Sequence, residues 1–338
     1  MKIAIHKREG SFSDRWITYC KENNISYIEV NCHLGTILEL LLSEKVTHLM
    51  WHINHADDID VQAFSYVMNS ADNMGIKTFP NFNARWHFDD KIAQMYFLTS
   101  FNQPLVPSYV FFDEKKALET SRSIDYPIVA KLKRGAGATN VKLIHNYNEV
   151  SEYIKRMFSI GISPHSAPLG NLKQKVRIAK AIKSPKLLIK KVFGYFYRVI
   201  SKQNSLGNEK GYFYYQDFLP KNDYDTRIVV VGDKAIGIVR TNRDNDFRAS
   251  GSGKIVYDIN KIDIEMINIA FKLKEKSKYD CLGFDFVYDK DRKPKIIEIC
   301  FGFSMLAYDK CEGYWDEELH FHKQTLNLQY EMIKNFIA

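Results

Sequence analysis

The sequence predicts an α/β fold that gives way to α+β after about residue 85. Three observations predict it. The first 85 residues alternate short β runs with helical patterns, and strand–helix alternation implies a parallel sheet with helices on its faces. From Ser108 the texture turns β-rich, with tight-turn residues between apolar runs. Charged residues then stand next to those runs in a fixed order, with cations early and carboxylates late.

Within residues 1–85, Ile3–His6, Ser26–Val30, His48–His52 and Lys77–Phe79 read as strands, and Asp14–Asn23, Thr36–Lys45 and Ile59–Gly75 as helices. Ligands of parallel sheets sit beyond the carboxyl ends of the strands. Asn31, Cys32, His52, Asn54 and His55 lie at such ends. Residues 86–108 read as a helix and a connection. Asp89 and Asp90 favour its first turn, and Pro104 and Pro107 end it. Beyond it, Tyr109–Phe112, Pro127–Leu132, Val141–Ile144, Gly211–Gln216, Thr226–Val231, Lys234–Val239, Gly283–Tyr288 and Lys295–Ile299 are strand candidates. Gly232-Asp233 suits a tight hairpin, and Asp289–Pro294 a longer one. Helical patterns at Asn148–Phe158 and Ile262–Lys278 would cover these sheets.

A chain of 338 residues is long enough for two domains or one large multi-lobed one. No apolar run reaches the roughly 18 residues of a membrane span, and the start MKIAIHKREG lacks the apolar stretch of a signal peptide. Five cysteines without close pairing predict reduced thiols and a cytoplasmic setting. The net charge of +8 is local: residues 160–208 hold ten Lys or Arg and no acid, which leaves 38 basic against 40 acidic residues elsewhere. That pattern argues against a protein that coats nucleic acid.

Four stretches carry chemistry. In Ala130–Thr139 a strand delivers Lys131, and a loop of small residues follows with Gly135 and Gly137. Such a loop can fold its N–H groups over phosphates while the lysine acts as a point charge. A basic β-turn has the same composition. In Tyr214–Pro220, Gln216, Asp217, Phe218 and Leu219 could offer backbone groups to an adenine edge, and Asp225 could accept from ribose hydroxyls. A strand end with an exposed loop reads alike.

The third stretch, Arg240–Gly253, places Arg240, Arg243 and Arg248 around a polar, glycine-bearing turn. Arginines clamp a transferring phosphoryl group or a developing oxyanion. In the fourth, Asp285 and Glu298 are embedded in runs that otherwise want burial, so each needs a cation or a donor. On adjacent hairpin strands they could share one face and bind magnesium, or each could form a structural ion pair.

In this order the motifs resemble the ATP-grasp superfamily, over about residues 80–305. The resemblance implies a two-lobed ATP-grasp fold behind an N-terminal α/β domain. The implied boundaries are 1–85, then 86–216 with a basic helical insertion at about 160–208, then 217–338. It implies ATP and Mg2+. Lys91 and Lys131 would hold phosphates, Gly135–Ala138 would form the phosphate lid, and Gln216–Leu219 the adenine hinge. Asp225 would serve the ribose, Arg240 and Arg248 the transferred phosphoryl group, and Asp285 and Glu298 the metal. The family pattern ends Glu-x-Asn, but Cys300 stands here in the Asn position, and a thiol is a poor ligand for a hard cation.

The implied activity is a carboxylate–amine ligase. A kinase acting on a sugar hydroxyl, a non-catalytic nucleotide-binding protein and a glycan- or membrane-docking protein are the alternatives. Asp246–Gly253 and Cys311–Asp316 resemble ATP-grasp proteins of bacterial surface-polysaccharide synthesis, which implies a small-molecule or glycan carboxylate and an amine as substrates. Two helical stretches, Asn171–Lys183 and Lys186–Lys202, carry the surplus basicity. The second has apolar residues at helical spacing and would suit an anionic membrane surface or an acidic glycan. The expected location is cytoplasmic, with a peripheral position at the inner membrane face as the alternative. A lid hairpin with solvated lysines is the alternative. His320 and His322 read as ordinary surface residues.

Overall fold

The computed structural model describes residues 1–55, 57–135, 140–164, 207–244 and 246–338. The predicted basic helices at 171–202 and Gly137 of the small-residue loop lie outside them. The described residues form a mixed α/β structure with a parallel N-terminal sheet and antiparallel sheets after it. They divide into one compact unit of Met1–Val106 with Leu219–Ala338, and another of Pro107–Phe218.

The first unit begins with a parallel sheet of β1 (Ile3–His6), β2 (Tyr27–Val30), β3 (His48–Met50) and β4 (Lys77–Phe79), in the order β2-β1-β3-β4. Helices α1 (Phe12–Glu22), α2 (Ile37–Ser43) and α3 (Asp58–Asn73) connect the strands. α1 starts where Ser11 accepts from the N–H of Ser13, and α3 where Asp57 accepts from that of Ile59. Such caps satisfy donors that a helix start leaves open. β1 is buried along its whole length, as expected of a central parallel strand.

After α4 (Phe82–Arg85), α5 (Lys91–Ser100) is capped by Asp90, whose carboxylate accepts from Ile92 and Ala93 N–H at 3.0 Å each. Leu219–Ala338 then contributes a second, antiparallel sheet. Its strands are β9 (Tyr224–Val231), β10 (Lys234–Thr241), β11 (Ile255–Val256), β12 (Cys281–Tyr288), β13 (Pro294–Cys300), β14 (Tyr314–Trp315) and β15 (Phe321–His322). The order is β13-β12-β9-β10-β14-β15, with β11 paired to β10. α8 (Ile264–Ser277) and α9 (Leu328–Ile337) complete the unit. Side chains of both sheets share the same cores. Ala4, Leu49 and Trp51 cluster with Ile228, Val230 and Phe284, and Ile3, Ile5 and Trp16 with Val229, Val231 and Ile333.

The second unit is a four-stranded sheet, β5 (Ser108–Phe111), β6 (Ile128–Lys131), β7 (Val141–Ile144) and β8 (Phe213–Asp217), in the order β5-β8-β6-β7. Helices α6 (Glu114–Thr120) and α7 (Tyr147–Phe158) belong to it.

This division corrects the expected boundaries. The motif order places residues 86–106 in the lid lobe, but in the structure they pack with the C-terminal sheet. Gln94 Oε1 accepts from Ile299 N–H at 3.2 Å. Val106 N donates to Ile296 O at 3.0 Å, and Ile296 N to Pro104 O at 2.8 Å. Residues 1–85 are likewise no separate compact body, because the two sheets share cores. No described helix is long and apolar enough to cross a membrane.

Candidate functional site

Period-two alternation places side chains i and i+2 of a strand on one face. In β9 this puts Asp225 and Arg227 together. The register then sets Asp225 opposite Arg240 of β10, Arg227 opposite Asp285 of β12, and Asp285 opposite Glu298 of β13. Four neighbouring strands therefore present one band of alternating charge.

The band is tightly bonded. Arg240 donates from Nε to Asp225 Oδ1 at 2.6 Å and from Nη2 to Asp225 Oδ2 at 2.7 Å. The same guanidinium reaches Asp285 Oδ2 at 2.9 Å. Arg227 Nη1 donates to both oxygens of Asp285, at 2.9 and 3.2 Å, and its Nη2 to the carbonyl of Gly302 at 3.1 Å. Burial opposes each charge, yet Asp285 beside Arg227, and Asp285 and Asp225 beside Arg240, raise both guanidinium pKa values. Burial pushes Asp225 up to about 6 against the pull of Arg240. The outcome is two arginines fixed in place by carboxylates before any ligand arrives.

Glu298 lies at the more exposed end of the band, and the buried Lys91 approaches it at 3.2 Å. Lys91 opens α5, so the Asp90 cap that starts the helix also aims this lysine. Two residues on, Cys300 is a neutral thiol, pushed up to about 12 chiefly by burial. Asp285 and Glu298 stand opposite each other in register, but Asp285 is bonded to Arg227 and Arg240 and Glu298 pairs with Lys91, so a hard divalent cation would have to share both carboxylates with these cations. Cys300 does not fit as a further ligand of such an ion.

In the second unit, β6 ends on Lys131, 7% exposed. Its Nζ donates to Gln216 Oε1 on β8. Gln216 Nε2 in turn donates to Ser108 Oγ at 3.0 Å and Tyr214 OH at 3.1 Å, which fixes the amide with its oxygen toward the lysine. The loop after Lys131 is anchored by buried Glu209, which accepts from Arg134 Nε at 2.5 Å, from Lys133 N–H at 3.2 Å and from Tyr212 OH. Gly135 has φ +113°, and a Cβ there would stand 2.3 Å from Asn140 Nδ2, so the position requires glycine.

The sequence-predicted residues thus fall in two groups. Arg240, Asp225, Asp285, Glu298 and Lys91 come together in the first unit. Lys131, Gly135 and Gln216 belong to the second, with Asp217 ending β8 and Phe218 following it; Leu219 begins the next stretch of the first. Asp225, expected at a ribose, is committed to Arg240. Gln216, whose backbone is expected at an adenine edge, uses its side chain on Lys131. Arg248 is forked onto Asp246 at 2.6–2.9 Å in the loop after β10. Sequence reasoning gave no role to Arg227 or Glu209. Alternation along Asp225-Thr226-Arg227 was the available signal for Arg227; Glu209 had none.

A smaller cluster, His6, His33 and Asp60, has ligand atoms within 4.8 Å of one another. His6 Nδ1 accepts from Cys32 N–H at 3.0 Å, so the neutral ring carries its proton on Nε2 and has no lone pair left for a metal. His33 Nε2 lies 2.5 Å from Asp60.

A profile of the RimK-like ATP-grasp domain matches residues 128–310, more than half of the chain. The chain belongs to the RimK-like ATP-grasp family. Among curated proteins, the alpha-aminoadipate–LysW ligase LysX of Saccharolobus solfataricus is 25% identical over 218 residues, covering 62% of this chain and 60% of the relative. LysX of Sulfurisphaera tokodaii is 23% identical over 235 residues, covering 68% and 64%. The chain therefore spans less than two thirds of the length of these relatives. Among solved structures, D-cycloserine synthetase DcsG has a TM-score of 0.59 at 11% identity, covering 99% of this chain and 100% of the other. The RimK domain ATP-grasp protein of Sphaerobacter thermophilus has 0.56 at 12%, covering 100% and 99%. A biotin carboxylase of Campylobacter jejuni, solved as a β,γ-ATP complex, has 0.60 at 13%, covering 99% and 70%. These likenesses establish the ATP-grasp fold.

Proposed function

We propose that this RimK-like protein is an ATP- and Mg2+-dependent carboxylate–amine ligase. The observation that carries the reading is the pair of arginines, Arg227 and Arg240, held by Asp225 and Asp285 beside the Glu298–Lys91 pair. In the proposed reaction a substrate carboxylate oxygen attacks the γ-phosphorus of ATP. ADP leaves, and an acyl phosphate remains. An amine nitrogen attacks the acyl carbon, loses its proton to solvent, and inorganic phosphate departs as the amide forms.

Such chemistry needs positioning and charge stabilisation more than a protein nucleophile. Lys91 and Lys131 hold phosphate oxygens. Arg227 and Arg240 face the charge that develops on the transferring phosphoryl group and the tetrahedral carbon, and their anchoring to carboxylates spares reorganisation at that moment. Arg248 adds a further cation in the loop after β10. Asp285 and Glu298 would hold Mg2+, which would neutralise phosphate charge when bound. Cys300 adds no charge to that set.

The relatives' printed names point to an amino acid as one substrate, and this reading adopts it. A surface-polysaccharide setting rests on the Asp246–Gly253 and Cys311–Asp316 stretches alone. The test is phosphate release from ATP and Mg2+ with pooled amino acids and amines. Phosphate should appear only when an acid and an amine are both present. Lys131→Ala and Glu298→Ala should each lower kcat by at least about 100-fold. Wild-type rates from either variant refute the assignment. A stable phosphate ester on a sugar would instead make the protein a kinase.

A further inference from the structure

A cavity of about 440 Å3 lies in the first unit between the β9–β10 turn, the C-terminal end of α8 and helix α9. That volume falls within the roughly 300–1,000 Å3 of small-molecule sites. It sits away from the charge band. Asp280, in its lining, directly precedes β12 and stands five residues before Asp285, about 17 Å along a strand. None of the residues proposed to hold ATP or Mg2+ lines it.

Phe79, Met332 and Phe336 give the cavity an apolar wall. Two residues of opposite charge, Lys278 and Asp280, flank buried Tyr279 and line the same space. Lys278 takes a left-handed conformation, φ +55°, that ends α8. Among the described residues it forms no ion pair. Lys274, one turn earlier, is matched to Glu317.

Asp280 also lacks a cation among the described residues. Its Oδ2 accepts from Asn81 N–H at 2.9 Å and its Oδ1 from Cys281 N–H at 2.8 Å, which leaves lone pairs on both oxygens. Arg85 acts on it only from a distance, because that guanidinium donates to Thr78, Pro80, Asn69 and Asp72. Burial pushes the Asp280 carboxyl up to about 7 from 3.8, as expected of a carboxylate short of positive charge. Glu275, the other acid of the lining, is exposed to solvent. Asn335 Nδ2 donates to Glu331 O at 2.8 Å, which leaves its Oδ1 as an acceptor.

A lone cation would satisfy Asp280 but meet Lys278, and a lone anion would do the reverse. A zwitterion answers both charges, and the apolar wall takes a hydrocarbon side chain. We propose that this cavity binds a free α-amino acid with an apolar side chain. Its ammonium sits on Asp280, its carboxylate at Lys278, and its side chain on Phe79, Met332 and Phe336. The inference does not rest on the ligase reading, because this is a second site remote from the charge band.

The test is isothermal titration of the full chain with L-leucine and L-phenylalanine. Each is compared with the analogue lacking its ammonium (4-methylpentanoate, 3-phenylpropanoate) and the one lacking its carboxylate (3-methylbutylamine, 2-phenylethylamine). At least one amino acid should bind about tenfold tighter than both of its analogues, the worth of one hydrogen bond to a charged group. Asp280→Asn should erase the preference over the acid analogue, and Lys278→Gln the preference over the amine analogue, with ATP turnover unchanged in both. No binding of either amino acid, no preference over the analogues, or preferences that survive in the variants each overturn the proposal. Should Asp280→Asn fail to fold, Lys278→Gln decides alone, since Lys278 is exposed. Binding kept in Lys278→Gln but lost in Glu298→Ala would put the amino acid at the reaction centre, which overturns this site and leaves the ligase reading intact. Binding that depends on Lys278 in a chain that transfers no phosphoryl group would do the reverse.

Discussion

Arg240 is 12% exposed in its side chain and is gripped by both oxygens of Asp225. Taking one partner out of such a pair leaves a buried charge uncompensated, at a cost of about 3–5 kcal/mol. Asp225→Ala should lose stability of that order in urea unfolding, and a loss near zero would show that the pair is not structurally buried in solution. Buried His87 gives a pH signature. Burial lowers its pKa to about 4 from 6.5, so it stabilises the fold fully above about pH 6.5 and loses that contribution as pH falls toward 4. One group of this kind costs about 1.4 kcal/mol per pH unit within the window. Between pH 6.5 and 5, His87→Leu should therefore lose about 2 kcal/mol less stability than wild type. At this scale the sequence was half legible. Charged residues inside apolar runs flagged Asp285, Glu298 and Lys131. Arg227 needed the strand register, which pairs it with Asp285.

α5 begins because Asp90 caps it, and that same start aims Lys91 at Glu298. Asp90→Ala should cost about 1 kcal/mol of stability and, on the proposed mechanism, raise KM for ATP, both readable on one purified variant. Gly313 precedes β14, and a Cβ there would stand 2.1 Å from the carbonyl oxygen of His322 on β15. Gly313→Ala should therefore open the β14–β15 pairing and lower Tm by several degrees; an unchanged Tm would mean that this pairing does not hold in solution. α3 lies where helical spacing places it, and β1 and β7 lie where short apolar runs read as strands. β14 and β15 were not legible, since two-residue strands carry no period. The α9 pattern of buried Leu328, Met332, Ile333 and Phe336 behind the Asn327 cap is helical, but it stands close to the chain end and outside every motif.

The whole molecule divides differently from the motif order. The first unit draws its two stretches from opposite ends of the chain, joined by cores to which both sheets contribute. Motif spacing could suggest the fold class, because ATP-grasp residues come in a fixed order. It could not show that residues 86–106 belong with β13, because two backbone hydrogen bonds to Ile296 and one side-chain amide decide that. A ligand that binds only the folded chain stabilises it by about 2.7 kcal/mol at a hundredfold excess over Kd. Mg-ATP should therefore raise Tm, and Glu298→Ala should blunt the rise. The central claim is that a substrate carboxylate is phosphorylated before it meets the amine. The most direct measurement uses an acid that supports turnover, labelled with 18O in its carboxylate, and weighs the phosphate released. Acyl-phosphate chemistry predicts one 18O in each phosphate. Unlabelled phosphate would mean that water or a hydroxyl, not the carboxylate, had taken the phosphoryl group.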